Sequence, residues 1–172
     1  MIFIIGILLF SCENDVAEIA KFDSVDTLPA QQGKNVEILY SKEGRTEFKL
    51  NAPVLNRYSG NKAYNEMPNG VAIEIYDSLG NISTSLTSKY AIDRDFEEIM
   101  VARGDVVVIN AEGEKLNTEE LIWNQKTEKI TSNVFVKITT ADQIIMGDGL
   151  ESNQDFSRYT IKKIRGIINI DE

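Results

Sequence analysis

The sequence contains no histidine, one cysteine, one tryptophan and three prolines in 172 residues. Each scarcity excludes something. Without an imidazole there is no Ser-His-Asp or Cys-His nucleophile and no His-ligated metal. A single thiol permits no intrachain disulfide, no Cys-x-x-Cys redox pair and no zinc finger. Basic residues are also short, 18 Lys and Arg against 27 Asp and Glu, so the net charge is −9. That balance argues against a nucleic-acid partner, because phosphate neutralisation by Lys and Arg dominates such binding. No metal and no cofactor is expected. What is left is one acidic domain, long enough to bury roughly 70% of its unfolded surface.

The one long apolar run opens the chain. Met1 to Phe10 reads MIFIIGILLF and carries no charge. As a helix it would span about 15 Å, half of a hydrocarbon core, which is too short to cross a membrane. It suits the apolar region of a signal peptide. Ser11-Cys12 follows, then Glu13-Asn14-Asp15. Apolar run, small residue, Cys and polar tail resemble a bacterial lipoprotein signal, with Leu9-Phe10-Ser11-Cys12 as its lipobox. That resemblance implies a signal peptide over 1–11 and a lipid on Cys12. The other reading is a buried N-terminal strand with an incidental cysteine. Residues 12–34 show little periodicity, and Thr27-Leu28-Pro29-Ala30-Gln31-Gln32-Gly33 reads as linker, so a flexible tether is expected there.

From Asn35 onward, alternating runs rich in β-branched residues predict half-buried strands. Val36-Glu37-Ile38-Leu39-Tyr40, Val71-Ala72-Ile73-Glu74-Ile75-Tyr76, Val106-Val107-Val108-Ile109 and Val134-Phe135-Val136-Lys137-Ile138 are the clearest. Turn signals separate them, among them Pro68-Asn69-Gly70, Asn110-Ala111-Glu112-Gly113 and Gly147-Asp148-Gly149. Only Asn117–Trp123 fits a helix as well as a strand. The expectation is an all-β domain over 35–170. Two strand types recur about every 30 residues. One aligns Val71-x-Ile73, Val106-x-Val108 and Val134-x-Val136. The other places a small or polar residue three positions before an apolar one: Ala52 and Leu55, Ser88 and Ala91, Thr118 and Leu121, Gly147 and Leu150. A unit with one apolar face cannot bury it alone, so the units must stack into two facing sheets with open ends.

Read in order, these stretches resemble a known family. Gly104–Asn110, Leu116–Asn124 and Lys129–Val136 are similar to the strand cadence of the LptA/OstA-like β-jellyroll proteins. Ile145–Phe156 resembles the closing segment of the LptC branch, and Ala63–Val71 the entry into the fold. The resemblance covers roughly 36 to 165. It implies an all-β, open-ended, twisted or V-shaped antiparallel β-jellyroll with a non-enzymatic part in lipopolysaccharide export. The implied partners are lipopolysaccharide, the inner-membrane LptB–LptF–LptG transporter and an LptA-like periplasmic bridge. The implied place is the periplasm. Many family members hold the inner membrane by an N-terminal helix, whereas this chain would use the lipid on Cys12.

On this reading inward-facing Val71, Ile73, Ile75, Val106, Val108, Val134, Val136 and Ile138 line a trough for acyl chains. Tyr159, Ile161 and Ile164 form the edge strand offered to a partner. The same inward residues equally describe a closed core, as in a structural or surface-exposed β-sandwich lipoprotein. A hydrolase built on paired carboxylates finds no pair that stands apart from the turns. Asp77-x-x-Gly80 and Asp93-Arg94-Asp95 read as turn residues before they read as calcium ligands. Glu112, Glu114, Glu119 and Glu120 read as a solvated edge. Lys162, Lys163 and Arg165 are the one basic grouping, facing solvent, a lipid phosphate or an acidic partner. Trp123 either packs in the core or guards the trough mouth.

Overall fold

The computed structural model describes residues 28–170 apart from 61 and 95. The segment read as a signal peptide, Cys12 and most of the tether lie outside the described residues. Among the described residues every regular element is a strand. They are β1 (Gln31–Lys42), β2 (Arg45–Tyr58), β3 (Tyr64–Met67), β4 (Val71–Tyr76), β5 (Ile82–Ser88) and β6 (Tyr90–Arg94). After these come β7 (Ile99–Asn110), β8 (Lys115–Asn124), β9 (Lys129–Thr139), β10 (Gln143–Asn153), β11 (Tyr159–Ile161) and β12 (Ile164–Asn169). Asn117–Trp123, compatible with helix or strand by sequence, lies within β8, where Leu116, Thr118 and Leu121 are buried. β1 begins at Gln31, inside the stretch expected to be tether. Its first residues pair with 54–57 of β2, which would otherwise present a bare edge.

All the strand pairings are antiparallel, and the long strands each serve two layers. In layer A, 45–52 of β2 lies between β1 and β4, and β5 connects β4 to 107–110 of β7. In layer B, 56–58 of β2 pairs β3, and β6 connects β3 to 99–103 of β7. β8, β9 and β10 continue both layers, which end at β12 on one and β11 on the other. The result is a V-shaped antiparallel jellyroll with β1 free at one end and β11–β12 free at the other.

The corner of the V is written in the spacing of inward side chains. A flat strand turns one residue in two toward the core. Strands passing from A to B break that period once, with inward residues three apart: Ala52 and Leu55, Thr118 and Leu121, Gly147 and Leu150. Strands passing from B to A place them four apart, at Ala102 and Val106 and at Ser132 and Val136. Ser88 and Ala91 follow the first spacing across the β5–β6 step, and Met67 and Val71 the second across the β3–β4 turn. The β7 crossing is a bulge made by Gly104 and Asp105, both at positive φ (73° and 49°). The three-residue spacing that recurs in the sequence therefore marks the corner of each successive strand pair.

One sequence-based alignment needs correction. Val134 does not occupy the position of Val71 and Val106; Val136 does. The pairing of β9 with β10 slips between Asp148 and Leu150, leaving Asn133 and Val134 opposite Gly149 alone. That extra residue resets the alternation, and Val134 is 36% exposed while Val136 is fully buried.

Along the A side of the corner, β-branched and small residues alternate: Val71 opposes Ser88, Val106 opposes Thr118, and Val136 lies between Thr118 and Gly147. Gly147 is required because the chain turning from β11 to β12 runs directly over it. A Cβ there would sit 2.5 Å from Ile161 Cγ2 and 2.7 Å from the Lys162 carbonyl oxygen. Gly147→Val should therefore lower stability by about 2 kcal/mol or more. The loss should read as a lower urea midpoint at unchanged slope; an unchanged midpoint would show that the β11–β12 corner yields freely.

Candidate functional site

Beyond the corner, the inner face of layer A carries one aliphatic ladder from edge to edge. Ile38 pairs with Leu50, Leu50 with Ile73, Ile73 with Leu86, and Leu86 with Val108. Val108 continues to Leu116, Ile138, Ile145 and Ile167. Cross-strand neighbours of this kind interact directly, so the ladder is a single apolar track. Its middle is buried and its ends are not: Ile38 is 40% exposed and Ile167 55%. On layer B the facing surface is supplied by Met100, Ala102, Leu121, Trp123 and Ile130.

Between the layers lies a narrow cleft of about 20 Å³, lined by Ile73, Ile75, Thr84, Leu86 and Val108 on one side and those five on the other. Its accessible lining is wholly apolar. That volume holds one water-sized molecule at most. The trough expected from the sequence is thus packed in this conformation. Val71, Ile73, Val106, Val108, Val136 and Ile138 are all buried, and Ile75 is half-buried toward the mouth. The structure brings these seven onto the inner face and leaves Val134 outside, in a surface hollow with Phe135 and Lys137.

The mouth of the V, opposite the corner, is held by residues whose part the sequence did not announce. The loop after β10 leaves layer B and reaches layer A. Thr84 Oγ1 donates to the Asp155 carbonyl at 2.8 Å, and Asn110 Nδ2 to the Phe156 carbonyl at 3.3 Å. Phe156 at the tip is fully buried among residues of both layers and stacks on Tyr159 at 5.1 Å. Tyr159 Oη donates to Glu114 Oε1 at 3.3 Å, and Asn110 Nδ2 also donates to Glu114 Oε2. Glu114 is therefore part of an interlayer clasp and not only a solvated edge. Burial, reinforced by the Glu114 charge, pushes the Tyr159 phenol up to about 12.

The remaining sequence candidates resolve into structural roles. Tyr159 and Ile161 of β11 pair with β10 and pack on the core, whereas Ile164 opens β12 and is exposed. Lys162 pairs with Glu151 at 3.7 Å and Arg165 with Asp148 at 2.6 Å, so two members of the basic grouping are engaged with β10. The Asp77 carboxylate accepts from the Leu79 and Asn81 amides and from Asn81 Nδ2, which ties a turn and holds it below the usual carboxylate range. Asp95 lies outside the described residues. Among the described residues no helix is long and apolar enough to cross a membrane.

Bent strands shared by two layers, free edges at both ends and an apolar interior define an open-ended β-jellyroll. The lineage follows from comparison with known families. The family model described as "LptC: Lipopolysaccharide-assembly, LptC-related" matches residues 1–169. The chain belongs to the LptC family, and is with it a periplasmic component of lipopolysaccharide export. A search of curated proteins finds no match.

Two predictions test the clasp. Phe156→Ala should cost about 3–5 kcal/mol, with Phe156→Leu well below it, because the loss follows the cavity left behind; equal losses would deny Phe156 its packing role. The Tyr159 phenol is neutral in both states below pH 10. Between 10 and about 12 the folded protein holds its proton while the unfolded chain releases it, so stability falls as pH rises. Tyr159→Phe should make that alkaline decline shallower in pH-dependent unfolding, and an identical slope would show that the phenol does not contribute.

Proposed function

We propose that this protein accepts lipopolysaccharide from the inner-membrane LptB–LptF–LptG transporter and relays it toward an LptA-like bridge. It is held at the membrane by a lipid on Cys12. The observation that carries the reading is the Ile38-to-Ile167 ladder, an apolar track continuous across nine strands with both ends uncovered. Burying acyl chains is worth about 0.8 kcal/mol per CH₂, so aliphatic walls hold a lipid without a specific polar contact at every step. A track with no deep pocket also sets no large barrier along its length. Direction then comes from ATP hydrolysis at the transporter.

In this scheme acyl chains enter as the layers part at the mouth, replacing interlayer contacts of similar polarity. Sugars and phosphates stay in water. The net charge of −9 favours that division, since it offers anionic head groups nothing to hold. The free backbone of β1 and of β11–β12 suits strand addition, with the ladder running on into the neighbour. A closed, structural β-sandwich lipoprotein is the second reading, favoured by the tight interior. Exposed Ile38, Leu39 and Tyr40 on one edge and Ile164, Ile167 and Ile168 on the other weigh against it, because isolated sandwiches protect such edges.

Photo-crosslinking separates the two. A probe replacing Ile75, inside the cleft, should capture lipopolysaccharide in cells, and one replacing Lys137, on the outer face, should not. Capture from Lys137 alone would defeat the trough. Separately, globomycin or Cys12→Ser should leave a heavier, unprocessed precursor; processing that continues unchanged would remove the lipid anchor.

A further inference from the structure

One residue that lines the cleft carries a buried polar group that its surroundings leave unmet. Trp123, the single tryptophan of the chain, lies on β8 between Met100 and Ile130 in register. It meets Phe48 of layer A edge-on, with ring centroids 6.1 Å apart and planes at 84°, and packs against both core clusters. Its indole nitrogen is buried and has no hydrogen-bond partner, the one such side-chain atom among the described residues. Leaving a buried donor unpaired costs its full desolvation, whereas an all-carbon ring would fill the same space without that cost. The neighbouring Thr84 hydroxyl is already committed to the Asp155 carbonyl.

We propose that the Trp123 indole N–H is the polar recognition point of the trough, donating to the ester carbonyl of an acyl-linked lipid once the layers part. This rests on the reading of the cleft as an acyl-chain track and adds which lipid group is read there. The indole N–H only donates, so its partner must be an acceptor. A phosphate or carboxylate would have to shed its water beside Ile75, Met100 and Ile130, which the surroundings do not offset. An ester carbonyl is a neutral acceptor attached to the methylenes that such a wall accommodates. Trp123 stands one inward row beyond the corner residue Leu121, toward the mouth, where the first polar atoms of an entering chain would arrive. In the empty protein the unmet donor penalises the closed layers, so the same group favours opening and then marks the bound register.

The test uses the full chain and two soluble probes that differ only in linkage. These are dioctanoyl glycerophosphoethanolamine and its dioctyl ether analogue, each titrated by the fluorescence of the single tryptophan and by calorimetry. The wild type should bind the ester about 5–10-fold more tightly than the ether, the share of one buried hydrogen bond. Trp123→Phe should bind both at the ether level by calorimetry. Equal binding of ester and ether by the wild type overturns the proposal, and that comparison needs no variant to fold. A wild-type preference that survives in Trp123→Phe overturns it too, by placing the donor elsewhere. If neither probe nor lipopolysaccharide binds the wild type, the acyl-track reading itself fails, which is distinguishable from tight binding without discrimination.

Discussion

A strand that serves two layers must turn through a corner without rotating its apolar side chains out of the core, and most of this protein follows from that requirement. The two crossing directions solve it differently. A-to-B crossings skip to an inward residue three positions on, and B-to-A crossings to one four positions on, because each direction inserts a different number of residues into the outer arc. Neighbouring strands run in opposite directions, so the two solutions alternate across the sheet. Valine then falls beside Ser88, Thr118 or Gly147, and the pairs interdigitate where the layers are closest. Where the chain itself passes over the corner, at Ile161 to Lys163, only glycine fits beneath it.

The corner leaves two consequences for function. First, it joins the layers along one line, so that on the other side they are held only by side-chain contacts. Packing there comes from the aliphatic ladder, from Trp123 against Phe48, and from the Phe156 clasp. Second, because long strands cross rather than close, the sheet keeps free edges at both ends. Apolar residues on such edges are a liability in an isolated protein and an asset in one that joins a chain of similar modules. The polar face is kept for solvent, where Lys49 with Glu74, Arg103 with Glu120 and Lys129 with Glu151 pair across strands.

The interior is held closed at the mouth by small means. A few hydrogen bonds and one aromatic stack hold the mouth, and one buried indole donor is left unpaired. None of these is a catalytic constellation. Membership of the LptC family places the chain in lipopolysaccharide export, and the relay proposed for it rests on shape and apolarity, which call for neither histidine nor paired cysteines.

Much of this was legible in the sequence because period-2 alternation is a local property of each strand. Val71, Ile73, Val106 and Val108 could be assigned inward from their neighbours alone, and the all-β class with them. The three-residue spacing at Ala52, Ser88, Thr118 and Gly147 was also visible, although its meaning as a corner was not. What the sequence could not decide is where alternation restarts. The extra residue at Asn133 and Val134 carries β9 round the corner between β8 and β10, so choosing Val136 over Val134 needs the neighbouring strands in place. The same holds for Phe156, Glu114 and Trp123. Their neighbours lie tens of residues away in sequence, so only the tertiary structure shows a plug, a clasp and an unmet donor. By itself the sequence determined the strands and their faces, which depend on adjacent residues. The tertiary structure decided the corner, the mouth and the free edges, which depend on how distant strands meet.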